Sequence, residues 1–205
     1  MSATVAKPKI FVVIYSMYGH IKTLSEAIVK GLKEEGVDAT LYRVEETLPD
    51  SVLTKMYARK FDEIPVLAPE DLVKADGFLF GIPTRFGTPA AQVKTFWDAT
   101  GKLWATGALV GKYAGVFTST GGQHGGMETT IFTFLPHLAH HGIIYVPLGY
   151  QAPELHDQSE IIGGSPWGAG TIAGGDGSRK VSEKEIQIAL TQGRTFAKTI
   201  LKAHQ

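Results

Sequence analysis

Residues 10–15, Ile-Phe-Val-Val-Ile-Tyr, form an unbroken apolar run rich in β-branched side chains, bounded by Lys9 and Ser16. A strand with one wet face alternates apolar and polar residues. An unbroken run needs apolar neighbours on both faces, as in a parallel sheet covered by helices. The next segment supplies such a cover: Leu24, Ala27, Ile28, Gly31 and Leu32 recur at helical spacing, and Gly36 is the stop. Residues 39–44 alternate and predict an edge strand. Residues 77–82 (GFLFGI) and 114–118 (AGVFT) predict two further buried strands, and residues 143–148 predict a fourth central run.

Helical signals fall between these strands. Pro69, Glu70 and Asp71 open one helix, and Thr88 with Pro89 reads as N-cap and first position of another, with Val93, Phe96 and Trp97 inward and Gly101 at its end. A third carries Ile131, Phe132, Leu135, Leu138 and Ala139 and stops at Gly142, with Pro136 in its interior. The last opens on a capping box of Ser182 and Glu185 and buries Ile186, Leu190, Gly193, Ala197 and Leu201. Residues 45–66 have no period and read as a long surface excursion with one helical turn. The alternation predicts an α/β, doubly wound parallel sheet with helices on both faces. One domain is expected over residues 1–205, with residues 1–8 a flexible N-terminus and residues 163–177 a Gly-rich stretch.

Composition narrows the chemistry. With no cysteine, thiol nucleophiles, redox dithiols, iron–sulfur clusters and zinc–thiolate sites are excluded. Twenty basic residues against twenty acidic ones leave no net charge to attract nucleic acid or an anionic membrane. The strongly apolar runs reach only about six residues where roughly 20 are needed to span a bilayer, so no transmembrane segment is expected. The expected location is cytoplasmic, a peripheral membrane association being compatible with the same features.

In open α/β sheets ligands bind beyond the carboxyl ends of the strands. Three loops belong there: residues 16–23, 83–89 and 119–126. The first, Ser16-Met17-Tyr18-Gly19-His20-Ile21, leads into a helix whose free N–H groups and dipole favour an anion such as a phosphate. It has a single glycine, so neither the dinucleotide fingerprint nor the P-loop can be written on it. The other two loops add glycines and aromatic surface suited to a flat ring system. A Ser hydrolase is disfavoured because no G-x-S-x-G elbow exists.

Five blocks in order, S-M-Y-G-H-I at 16–21, P-T-R-F-G at 83–87, T-G-x-L-W-A-x-G-A-L at 100–109, L-A-H-H-G at 138–142 and T-I-A-G-G-D-G-S-R at 171–179, closely resemble the WrbA-type flavodoxin-like NAD(P)H:quinone oxidoreductases. The match runs from about Lys9 to about Leu201. It implies a five-stranded flavodoxin-like sheet of order 2-1-3-4-5, non-covalent FMN, NADH or NADPH as co-substrate, quinones as acceptors and a homotetramer. An insertion at about residues 149–170 would help assembly. By the same resemblance Ser16, Met17, Tyr18, Gly19, His20 and Ile21 would hold the FMN phosphate. Thr84, Arg85 and Phe86 would wrap the polar edge of the ring, and Ser119, Thr120, Gly121, Gly122, Gln123 and His124 would line its other side. His140 would sit at its rim, and Tyr18 and Trp104 would flank the space for nicotinamide or quinone. The third loop departs from the family pattern S-T-G-T-x-G-G-G-Q-E: here Gln123 and His124 interrupt the glycines.

The resemblance implies two-electron transfer from NAD(P)H through flavin N5 to a quinone, with one shared site and ping-pong kinetics. No side chain need act as acid or base, although the His140 and His20 imidazoles could supply protons. His137, His140 and His141 lie at i, i+3 and i+4, but no metal is expected, because a carboxylate or water would have to complete that set. Two rival readings remain. A one-electron flavodoxin-type carrier is disfavoured by the neutral charge, and an FMN-binding regulatory or scaffold protein in stress response is favoured only by the altered Gln123-His124 loop.

Overall fold

The computed structural model describes residues 7–204, so most of the expected flexible N-terminus lies outside the described residues. Strand β1 (Lys9–Ile14) leads to helix α1 (His20–Glu34), β2 (Asp38–Arg43) and the short α2 (Asp50–Lys55). A 3-10 turn at Pro69–Lys74 precedes β3 (Gly77–Arg85), β4 (Thr88–Pro89), α3 (Ala91–Asp98), α4 (Gly101–Ala105) and β5 (Tyr113–Thr120). Then come α5 (Thr129–His140), β6 (Ile144–Tyr145), a second 3-10 turn at Pro153–His156, β7 (Gly170–Ile172) and α6 (Glu183–Ala203).

The main path of the sheet is β2-β1-β3-β5-β6, all parallel, which is the 2-1-3-4-5 order of a flavodoxin-like fold. Two short strands lie off this path: β4 folds back antiparallel on β3, and β7 runs parallel to β5. The last strand is therefore in two pieces. Residues 143–148 were expected to be central but supply only the two-residue edge strand β6, and β7, from the Gly-rich stretch, continues the edge farther along β5. The insertion separates the two pieces.

The unbroken run of β1 is explained by burial on both faces. Phe11 and Val13 pack with Phe78, Phe80, Trp97 and Phe134 under α3 and α5, whereas Ile10, Val12 and Ile14 pack with Leu24, Ile28, Leu79 and Phe117 under α1 and α6. Each fully buried aromatic or Ile side chain adds about 1.5–3 kcal/mol.

Two helix boundaries differ from expectation. Thr88 and Pro89 do not start a helix: they pair with Arg85 and Thr84 as β4, and the helix begins two residues later. Proline fits there because it is at the rim of the sheet, where no ladder donor is required. Gly101 does not end that helix but opens α4, after a break at Thr100 whose hydroxyl turns back to the Trp97 carbonyl at 2.6 Å. Pro136 lies within α5 on its exposed side, which removes one bond from the ladder at the Phe132 carbonyl. The capping box of α6 forms as expected.

The insertion folds onto its own chain. Ala152 and Ala169 are buried, and Trp167 packs edge-on to Phe132 at 4.6 Å while its carbonyl accepts from the Tyr145 hydroxyl. Burial raises the pKa of that phenol. Among the described residues no helix is long and apolar enough to cross a membrane.

Candidate functional site

Register sets where the loops meet. Ile14 stands beside Gly81, and Gly81 beside Phe117, so the segments after β1, β3 and β5 leave the sheet at one level. Gly81 is small for a reason: a Cβ there would lie 2.4 Å from the Phe117 ring and 2.7 Å from Ile21. Between the loops opens a cleft of about 620 Å³, within the range that holds a cofactor-sized molecule.

The first wall is the loop into α1. Gly19 is left-handed (φ 99°), and α1 has no acidic residue in its first turn and no side-chain cap on that residue. The Ser16 hydroxyl oxygen accepts from the Gly19 N–H at 3.2 Å and the Lys22 N–H at 3.4 Å. The remaining first-turn donors are at a helix end with a positive dipole, the electrostatics an anion needs. His20 is anchored by Nε2 to the Arg179 carbonyl at 2.7 Å. Because a carbonyl only accepts, Nε2 carries the proton.

The second wall is the turn from β3 to β4. The Thr84 hydroxyl oxygen accepts from Gly87 N–H at 3.1 Å and from the Thr130 hydroxyl at 2.8 Å, tying the turn to α5. Arg85 folds back, Nη1 donating to the Thr84 carbonyl at 2.8 Å with Nη2 3.9 Å from the Met17 sulfur. Phe86 is left-handed (φ 54°) and entirely exposed, an unusual state for an aromatic residue. Ser119, Thr120 and Gly121 close the third side.

Behind the first loop, Tyr15 donates to Glu46 at 2.9 Å, and Gln92 donates to the same carboxylate at 2.7 Å. Burial, with Glu46 as acceptor and neighbouring charge, raises the Tyr15 pKa well above that of a free phenol. Burial alone would raise that of Glu46, but donation from Leu48 N–H, Gln92, Tyr15 and Thr47 N–H outweighs it and holds the carboxyl below its ordinary range. The network locks β1 to the segment after β2 and to α3.

Of the residues singled out in the sequence, Ser16, Met17, Tyr18, His20, Ile21, Thr84, Arg85, Ser119, Thr120 and Gly121 line the cleft. Gly19 lies within the first loop, and Phe86 and Gly122 follow the lining residues Arg85 and Gly121 without lining the cleft themselves. Four others of the residues singled out do not line this cleft. Gln123 and His124 line a separate groove on the far side of their loop, facing Ile162 and Ser165 of the insertion. Trp104 on α4 and His140 at the end of α5 line neither. Trp104 comes after the whole length of α3, on α4, and His140 is the last residue of α5, so both are a helix length from the turns that open on the cleft.

Two other segments come into the site. Residues 173–177 form its fourth side, and the excursion after β2 returns to add Met56, Tyr57 and Arg59. The first was signalled by the T-I-A-G-G-D-G-S-R block; the second had no periodicity to reveal it. Among the described residues no group of three potential ligands gathers as a metal site. His141 instead bonds Thr100 through Nε2 at 2.9 Å, and His137 bonds the Phe134 carbonyl through Nδ1 at 3.0 Å.

The family model described as NADPH-dependent FMN reductase matches residues 8–155. The chain is 56% identical over 202 residues to the minor allergen Alt a 7 of Alternaria alternata, covering 97% of this chain and 99% of that protein. It is 54% identical over 197 residues to the NAD(P)H quinone oxidoreductase PST1 of Candida albicans, covering 96% and 100%. A solved WrbA-like flavodoxin from Agrobacterium tumefaciens superposes with a TM-score of 0.67 at 23% identity, over 97% of this chain and 100% of the other, and shares its fold. The chain belongs to the NADPH-dependent FMN reductase family and has a flavodoxin-like fold.

Proposed function

We propose that this chain is an FMN-dependent NAD(P)H:quinone oxidoreductase. The observation that carries it is the cleft at the switch point of the sheet, with an acid-free helix N-terminus at one end and hydroxyl- and glycine-rich turns along its sides. These residues fit FMN. The Ser16–Ile21 loop would hold its phosphate, and Thr84, Arg85, Ser119, Thr120 and Gly121 would hold the ring, to which the bound cofactor's redox chemistry belongs. Bound FMN supplies the redox chemistry, passing two electrons from NAD(P)H to a quinone.

The balance is NAD(P)H plus quinone plus one proton giving NAD(P)+ and hydroquinone. Tyr18, half exposed, lines the cleft, and on this reading nicotinamide and quinone share one opening beside it and enter in turn, with ping-pong kinetics. The Nε2 proton of His20 is committed to Arg179, so His20 positions the loop and the proton comes from solvent at the open mouth.

Trp104, 59% exposed, and His140, also exposed, are on elements joined by the Thr100–His141 bond. Their expected place at the ring rim fits a homotetramer in which another copy brings them to this cleft, the insertion contributing to assembly through exposed Tyr150 and Ile161. The reading takes the chain as one flavodoxin-like domain, which is supported among the described residues by the packing of α6 on α1.

Steady-state oxidation of NADH and NADPH by FMN-loaded protein, with 1,4-benzoquinone as acceptor, tests the reading. Parallel double-reciprocal lines are expected. Intersecting lines would sink the single shared opening, and an FMN-loaded protein that neither nucleotide reduces would be a carrier instead.

A further inference from the structure

The excursion after β2 has no place in the expected cofactor site, yet it delivers a cation to the phosphate loop. Arg59 donates its backbone N–H to the Met17 carbonyl at 2.9 Å, which fixes this segment against the loop. Just before it, Tyr57 takes a left-handed turn (φ 54°), a costly conformation for an aromatic side chain, and the chain reverses there toward the cleft. The guanidinium then lies over Gly19: a Cβ built on that glycine would be 3.1 Å from Arg59 Nη1. A side chain at position 19 would crowd the guanidinium, and the bare glycine leaves it room beside the loop.

The charge is uncommitted. Neighbouring Lys60 is 3.0 Å from Asp50 and Arg43 is 3.9 Å from Asp62, whereas Arg59 makes no ion pair among the described residues. Lys22, the other cation on the loop, is held by Glu26 at 2.6 Å and faces Glu63 at 3.9 Å. The second cation on the cleft wall, Arg85, is folded onto the Thr84 carbonyl. An unpaired guanidinium beside free helix N–H groups matches a phosphate monoester dianion, which it can grip with two parallel hydrogen bonds.

We propose that Arg59 is a ligand of the FMN phosphate, closing over the Ser16–Ile21 loop from the excursion after β2. The proposal rests on the FMN reading of the cleft. The same chemistry could serve a phosphate of NADPH, and the experiment separates the two sources.

Apoprotein is titrated with FMN and with riboflavin, which lacks the phosphate, by quenching of flavin fluorescence, for wild type, Arg59→Ala, Arg59→Lys and Lys60→Ala. Thermal melting of each apoprotein confirms folding. Wild type should prefer FMN. Arg59→Ala should weaken FMN about tenfold while riboflavin stays within about twofold, the lower end for a charge-assisted contact near solvent. Arg59→Lys should recover part of the loss, and Lys60→Ala, with the same change of charge, should bind FMN as wild type does. Equal weakening of both flavins, or none, would overturn the assignment, as would a loss confined to the KM for NADPH. Wild type binding riboflavin as tightly as FMN would remove the phosphate loop itself and the role of Arg59 with it.

Discussion

Gly31 on α1 and Gly193 on α6 bring two helix backbones into contact. A Cβ on Gly31 would lie 2.3 Å from the Leu190 carbonyl oxygen, and one on Gly193 would lie 2.3 Å from that of Ile28. Neither neighbour is a side-chain end that can swing away. The approach fixes α1, and with it the loop that opens α1, against the last element of the chain.

Alanine at either position gains about 1 kcal/mol in helix propensity and loses more by overpacking. Gly31→Ala and Gly193→Ala should each destabilise the protein by a net of about 1–3 kcal/mol, read from urea unfolding. Gly101 on α4 has open space around its Cβ position, so Gly101→Ala should be neutral or stabilising by a few tenths of a kcal/mol. A destabilised Gly101→Ala beside unaffected Gly31→Ala would contradict the packing argument.

Glu185 organises the fourth wall of the cleft. Its fully buried carboxylate accepts from Gly163 N–H at 2.9 Å, Thr171 Oγ1 at 2.8 Å, Ser182 N–H at 2.8 Å and Arg179 Nη1 at 3.0 Å. The Arg179 carbonyl in turn accepts from His20, so one carboxylate joins the insertion, β7, the cap of α6 and the Ser16–Ile21 loop. Glu185→Ala strands the guanidinium and several N–H groups and should cost about 3–5 kcal/mol. FMN affinity should fall as well, because residues 173–177 lose their anchor. Glu185→Gln keeps the shape but puts an NH2 against donors, and its thermal midpoint should fall between those of wild type and Glu185→Ala.

The sequence is most informative where one side-chain period serves both local and tertiary structure. Residues 10–15 and 77–82 are buried on both faces and α1 buries the stripe its spacing predicts, whereas the buried face of α6 is turned: Leu190, Gly193 and Ala197 are buried as expected, Ile186 and Leu201 only partly, and Ile188, Ala189, Phe196 and Ile200 complete the face. Gly170–Ile172 is a strand because β5 is there to pair with it, and its own composition reads as loop. Thr88 and Pro89 carry helix-start chemistry, but the tight turn held by Thr84 claims them first. The three strand-end loops were legible because topology alone places them. Arg59 was not, since a distant backbone bond to Met17 determines its position. Trp104 and His140 mark the opposite failure: the motif is present, but one chain does not bring it to the cleft.

That separation makes a complementation experiment decisive. If another copy supplies Trp104, Trp104→Ala should lower quinone turnover at least tenfold while leaving FMN affinity unchanged. Arg85→Ala should damage the cleft of its own chain. Co-expressed, each copy can lend what the other lacks, and mixed oligomers should regain a measurable share of wild-type turnover. Mixtures no more active than the average of the two parents would place Trp104 outside the reaction.

His141 supplies a pH signature separate from catalysis. The Thr100 hydroxyl has one proton and gives it to the Trp97 carbonyl, so it accepts from His141 Nε2–H. The other ring nitrogen is then a bare lone pair, and Nδ1 is buried without a partner. Protonating it would bury an unpaired charge beside Trp97 and near His137 and His140. Burial first, and those two imidazoles next, lower the His141 pKa below its ordinary value of 6.5. The unfolded chain binds this proton more readily, so the contribution of His141 is fully present above about pH 6.5 and is lost as pH falls below it. The wild-type thermal midpoint should therefore drop from pH 7.5 to pH 5.5, and His141→Gln, which can still donate to Thr100 but cannot charge, should drop less over the same interval. An equal drop in both proteins would assign the acid sensitivity to other groups.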